Sequence, residues 1–310
     1  MKKPELLAPC GSAKTLKAAI KAGADAVYLG AGKFSARAFA DNFDDGELRD
    51  AIAYATHENV KTYIAINTLI TDREMAEALD VAELAHNAGA AAFIVQDLGL
   101  AAAIRQRLPS AVLHASTQMT ACTAKDVNTL GKLGFSRVVL ARELSHKEIG
   151  AIAKNTDIEL EVFVHGALCS SYSGQCLMSS FIGGRSANRG KCAAPCRLTY
   201  KAGKKSGTLL SLKDLCLADY IGELSEIGIA ALKIEGRMKG EDYVRAVVGA
   251  YRTILDEGKL SEKQKSKMLG VFNRGGYTDG YYTGNHETMF TETLKNPYGK
   301  QPGKRRKNAD

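Results

Sequence analysis

The sequence predicts an α/β fold: a parallel eight-stranded β/α barrel of the TIM type, with a long cysteine-rich insertion after strand 7 and a short carboxyl-terminal extension. Three observations predict it. Short β-rich runs alternate with amphipathic helical segments over most of the chain, the pattern of right-handed parallel crossovers. Helix ends closed by glycine lead directly into strands, as in Ala22-Gly23-Ala24-Asp25-Ala26 and Asn87-Ala88-Gly89-Ala90-Ala91. The length of 310 residues accommodates one barrel of about 250 residues and an appendage.

Strands are expected at residues 5–9, 26–30, 61–67, 91–96, 111–116, 137–141, 159–165 and 230–235. Helical patterns at 12–22, 45–57, 73–88, 98–107, 124–133 and 145–155 separate the first seven, and a closing helix is expected at 241–257. The rhythm breaks once, between Gly166 and Ile229, where the connection is about twice as long as the others. An insertion there leaves the carboxyl end of a strand, the face on which barrels of this kind carry their chemistry. These boundaries divide the chain into a barrel at 1–258 that includes the insertion at about 166–229, an extension packed on it at 259–295, and a basic flexible tail at 296–310.

Apolar residues make up 45% of the chain and charged residues 25%, an ordinary balance for a soluble globular enzyme. No stretch approaches the roughly 18 uninterrupted apolar residues of a membrane span, and Met1-Lys2-Lys3-Pro4 runs into a strand pattern instead of an export signal. A cytoplasmic location and no membrane partner are therefore expected. In that setting seven cysteines point to metal or redox chemistry before a disulfide framework. A net charge of +8 suggests a polyanionic partner, although Lys300, Lys304, Arg305, Arg306 and Lys307 contribute much of it, and a solvated tail explains those equally well.

Cys169, Cys176, Cys192 and Cys196 are separated by six, fifteen and three residues within one glycine-rich polar loop. Four soft thiolate donors suffice to hold an iron–sulfur cluster. Structural zinc also takes four thiolates but favours two tight pairs, and only Cys192/Cys196 is tight. Packing as free cysteines is the third alternative. Cys216, at the start of an expected helical pattern, ranks as a substitute ligand; Cys10 is expected to face the barrel mouth, and Cys122 to pack. Gly183-Gly184-Arg185-Ser186 lacks the Gly-Lys-Ser/Thr ending of a phosphate loop, and neither a Gly-x-Ser-x-Gly elbow in a strand-to-helix turn nor a His-Glu-x-x-His zinc motif occurs.

The block from Glu161 to Cys176, EVFVHGALCSSYSGQC, resembles the signature of the collagenase-like peptidase family, peptidase family U thirty-two. Leu6-Leu7-Ala8-Pro9-Cys10-Gly11-Ser12, Asp25 to Gly30, Ala65 to Thr68, Ser116-Thr117-Gln118 and Lys233-Ile234-Glu235-Gly236-Arg237 extend the resemblance from Leu6 to Tyr282. Gly184 to Cys192 and Phe272-Asn273-Arg274-Gly275 are similar to the RNA-hydroxylase branch, which acts on 23S rRNA cytidine or tRNA uridine, more than to the ubiquinone-biosynthesis branch. The resemblance implies a 4Fe-4S cluster on Cys169, Cys176, Cys192 and Cys196, oxygen-independent hydroxylation of a pyrimidine in RNA, and prephenate, a small dicarboxylate, as co-substrate. It also implies longer members whose carboxyl-terminal region helps to select the RNA.

The strand register presents Asn67, Gln96, His114, Gln118, Arg142, Glu143, His165, Glu235 and Arg237 to one basin at the carboxyl ends of the strands. Of these, His165, Glu235 and Arg237 are the candidate catalytic residues, and Asn67, Gln118 and Arg142 the candidate substrate-binding residues. Arg142 and Arg237 suit a dicarboxylate through paired charge-assisted hydrogen bonds. Two further functions compete: a peptidase, which lacks an evident general-base partner for a cysteine nucleophile, and a non-catalytic protein whose cluster staples the loop.

Overall fold

The computed structural model describes residues 3–36 and 43–291. All eight expected barrel strands are present: β1 (Glu5–Cys10), β2 (Ala26–Gly30), β3 (Lys61–Ile66), β4 (Ala92–Val95), β5 (Leu113–Ala115), β6 (Arg137–Val139), β7 (Glu159–Gly166) and β8 (Ala231–Ile234). Each pairs in parallel with its sequence neighbour among the eight, and β8 also pairs with β1, which closes the barrel. The outer layer holds α1 (Ala13–Lys21), α2 (Asp45–His57), α3 (Met75–Asn87), α4 (Leu98–Arg107), α5 (Ala124–Lys132), α6 (His146–Ala153), α7 (Ile221–Ile227) and α8 (Glu241–Glu257). Reciprocal capping boxes start α1, α2, α5 and α6 at Ser12, Asp44, Thr123 and Ser145, satisfying amides that an α-helix leaves free. Left-handed Gly228 and Gly258 close α7 and α8.

Most of the apolar core lies between strands and helices, where α8 buries Tyr243, Val244, Val247, Val248 and Tyr251 at helical spacing. The barrel interior is different. Leu7, Ala26, Tyr28, Tyr63, Ala65, Ala92 and Ile94 form a separate apolar cluster there. Beside them runs a chain of charges. Arg137 on β6 meets Glu5 of β1 at 2.7 Å, Glu159 at 2.7 Å and Glu161 of β7 at 3.5 Å, and Lys233 of β8 meets Glu161 at 2.8 Å. Burial pushes the Glu5 carboxyl up, but Arg137, Lys61 and Tyr63 outweigh it and hold the group below its ordinary range. Pairing of this kind is what permits charges inside a barrel.

Two irregularities shape the mouth. The β7–β8 register shifts between Lys233 and Ile234, so that Phe163 pairs with Lys233 but His165 with Ile234. A one-residue bulge reverses the side-chain alternation beyond it. In the insertion, the strand Asp214–Cys216 runs antiparallel to the end of β7, and Tyr277–Thr278 from the extension pairs with it. Cys216 is therefore a strand residue, not the start of a helix as its local pattern suggested. The insertion also contains a short helix, Met178–Gly183, and a hairpin of Tyr200–Ala202 with Lys205–Gly207. No helix among the described residues is long and apolar enough to cross a membrane. The expected tail at 296–310 lies outside the described residues.

Candidate functional site

The insertion folds back over the carboxyl ends of the strands and encloses a cavity of about 420 Å³. Barrel elements supply Asn67, Gln118, Arg142, Lys233, Glu235 and Arg237 to its lining. The insertion supplies Cys169, Cys176, Cys192, Cys196 and Arg197. Five of the six catalytic and substrate-binding candidates and all four proposed ligand cysteines thus meet in one space.

Asn188 and Arg189 clasp the insertion to the barrel. The Asn188 amide donates to Gln96 Oε1 at 3.0 Å and Gln118 Oε1 at 3.3 Å, and its own oxygen accepts from the Leu69 amide at 3.0 Å. Arg189 bridges to the Leu69 carbonyl and to both carboxylate oxygens of Glu74. On the barrel side the Gln118 amide donates to the Asn67 carbonyl at 2.8 Å, and the Asn67 side chain joins Ala36 to Ser116. Asn67 and Gln118 therefore hold the mouth in shape while facing the cavity. Ser173 donates to Glu143, which ties another turn of the insertion to the loop after β6.

Cations dominate the lining. Arg142 lies 4.4 Å above the Phe163 ring, donates to the Ala167 carbonyl and sits 3.9 Å from Glu235; its Nε is buried without a hydrogen-bond partner. Arg237 bonds Ser35 and stands 5.5 Å over Tyr28. Lys233 lies at the floor, 4.5 Å from the Tyr28 centroid, and burial lowers its pKa against the opposing pull of Glu161. Lys239 is lowered to about 8 by burial and by Arg274. Gly11 lets β1 approach this edge: a Cβ there would lie 2.0 Å from the Arg237 carbonyl oxygen.

Local reasoning missed Lys233, Lys239 and Arg197. Lys233 was the most legible, because it shares strand parity with Glu235 and so points inward. His165 departs from expectation. The bulge turns it out of the barrel, where it is fully buried among Tyr243, Tyr251 and Tyr277 and contacts the Tyr251 hydroxyl through Nδ1 at 3.3 Å. Burial and Lys239 lower its pKa to about 3, so it is neutral, and it is absent from the cavity lining. His114 lies against Tyr63, below the mouth. Cys10 is buried in the outer core with its thiol pushed up, Cys122 packs beside Asp126, and Cys216 is 4.0 Å from the Tyr251 hydroxyl. None of these three cysteines lines the cavity.

None of the seven cysteines is joined in a disulfide. Burial raises the Cys169 pKa against the pull of the Ser171 backbone hydrogen bond and of Arg142. Among the described residues no three His, Cys, Asp or Glu side chains converge closely enough to hold one ion. Four thiols lining one cavity are a donor set that fits an iron–sulfur cluster, and four-thiolate zinc draws on the same chemistry.

Fold and site together define a β/α-barrel protein whose strand-end cavity is completed by a thiol-bearing insertion. The chain belongs to peptidase family U32, whose family model matches residues 11–291. It is 38% identical over 268 residues to the tRNA hydroxylation protein P1 of Bacillus subtilis, covering 82% of this chain and 64% of that protein. With the 23S rRNA 5-hydroxycytidine synthase of Escherichia coli it shares 39% identity over 259 residues, covering 81% and 39%. A collagenase of Porphyromonas gingivalis is 34% identical over 308 residues, covering 90% and 73%. The chain thus spans less than two thirds of the length of the first two relatives.

Proposed function

We propose that this chain carries out oxygen-independent hydroxylation of a pyrimidine base in RNA, a cytidine of ribosomal RNA or a uridine of transfer RNA. The observation that carries the reading is that four thiols and a set of cationic side chains share one strand-end cavity. Cys169, Cys176, Cys192 and Cys196 would hold a 4Fe-4S cluster, which supplies one-electron redox chemistry when bound. Arg142, whose Nε lacks a partner, and Arg237 would orient a dicarboxylate such as prephenate, and Lys233 adds charge from below. Glu235, beside Arg142, is placed to hold or pass a proton. His165 would act on this site only through the packing of β7 against α8.

The collagenase relative keeps peptide cleavage as a second reading. Against it, the lining contains no histidine among the described residues to activate a nucleophile, and thiolates bound to iron cannot attack a peptide. Anaerobically purified protein should contain about four irons and four acid-labile sulfides with broad absorption in the visible, lost in Cys192→Ala. RNA from a strain lacking the protein should miss one hydroxylated pyrimidine, restored by wild type and not by Cys192→Ala. An unchanged nucleoside profile refutes the reading; colourless protein with about one zinc refutes the cluster.

A further inference from the structure

Among the described residues three tyrosine or phenylalanine side chains are exposed: Tyr172 at 62%, Phe181 at 85% and Phe272 at 64%. All three come from segments that frame the cavity. Tyr172 lies between the lining residues Cys169 and Cys176, Phe181 follows Met178, and Phe272 precedes Arg274 by two positions. Single exposed apolar residues are ordinary, so the case for a contact surface rests on what each ring touches.

Phe272 is the best defined of them. The Lys239 ammonium sits 3.7 Å from its ring centroid and donates to its backbone carbonyl at 3.4 Å. Lys239 and its neighbour Met238, which is 60% exposed, both line the cavity. A cation therefore steadies the ring while most of it remains open to solvent.

We infer that Phe272, backed by Lys239, is a stacking platform for an unpaired base of single-stranded RNA at the threshold of the cavity. This rests on the RNA reading above and adds the form of RNA taken and the residue that selects it. A base inside a duplex cannot enter a walled cavity without leaving its stack, and aromatic side chains receive such bases on their faces. Charge chooses the occupant: among the described residues Arg142, Arg197, Lys233, Arg237, Lys239 and Arg274 line the cavity against one carboxylate, Glu235. That balance suits a phosphate-bearing strand.

Fluorescence anisotropy would compare wild type, Phe272→Ala and Phe272→Tyr, each with a labelled pyrimidine-rich single strand of about twelve nucleotides and with its fully paired duplex. Wild type should prefer the single strand. Phe272→Ala should weaken single-strand binding by about 5- to 150-fold, the range for one stacked base. Duplex binding and the salt slope should stay unchanged, because no phosphate contact is lost, and Phe272→Tyr should retain wild-type affinity. The inference is overturned if Phe272→Ala binds the single strand like wild type, if both probes weaken alike, or if tyrosine fails to rescue. If wild type binds neither RNA, the RNA reading falls first and the platform with it.

Discussion

Replacing Lys233 by methionine tests the charged floor beneath the cavity. The Lys233 ammonium lies 2.8 Å from Glu161 Oε1; the two residues are 4% and 0% exposed, and Glu161 Oε2 has no hydrogen-bond partner. Lys233→Met leaves the carboxylate with only the 3.5 Å approach of Arg137. Breaking one side of a buried pair costs about 3–5 kcal/mol, and the remaining arginine places this case near about 3 kcal/mol. Unfolding entropy of about 2.1 cal/mol/K per residue over 310 residues amounts to about 0.65 kcal/mol/K, so the melting temperature should fall by about 5 °C. The double variant Lys233→Met/Glu161→Gln removes the stranded charge and should recover most of that loss. Thermal melts followed by circular dichroism measure both. A single variant within about 1 °C of wild type, or a double variant less stable than the single, would refute the view that this pair is a mutually dependent buried unit.

Two further predictions concern the surroundings of the site. His165 stays neutral in the folded chain down to about pH 3, whereas in the unfolded chain it titrates at its ordinary, higher value; the unfolded state therefore binds more protons in that window, and stability is lost as pH falls. Relative to pH 7.5, wild type should lose about 1.4 kcal/mol at pH 5.5 through this residue alone; buried His114 acts in the same direction. Urea unfolding of His165→Gln should show a shallower acid slope than wild type, and equal slopes would contradict the assignment. Gly11→Ala, which would set a Cβ 2.0 Å from the Arg237 carbonyl oxygen, should destabilise the fold by about 3 kcal/mol, whereas Gly150→Ala, with nothing within 4 Å of the added Cβ, should not; equal melting temperatures for the two would show that β1 does not need that close approach.

Periodicity made the barrel legible. Each strand is a short β-rich run next to a helical segment, most of them with a side-chain cap, so local rules located all eight and the observed ends differ by at most two residues from those expected. The cysteine loop was legible for the same reason, since it interrupts a regular rhythm and falls at a strand's carboxyl end. The mouth was only partly legible. Parity along β8 foretold that Glu235 faces inward, but the same alternation on β7 pointed His165 into the cavity, and a bulge visible only in the β7–β8 pairing reversed it.

By itself, then, the sequence determined the eight-fold β/α alternation, the position of the thiol-bearing insertion and the inward parity of Glu235, because these follow from spacing along the chain. Tertiary structure alone decided that Asn188 and Arg189 fasten the insertion to Gln96, Gln118, Leu69 and Glu74, across sequence separations of up to 120 residues. It also decided that Glu5, Arg137, Glu161 and Lys233 neutralise one another inside the barrel, and that His165 belongs to the packing behind it. The physical reason is the same in each case. Hydrogen bonds and charge pairs between distant strands depend on register and closure, and no local pattern of residues encodes the partner on the other side of a barrel.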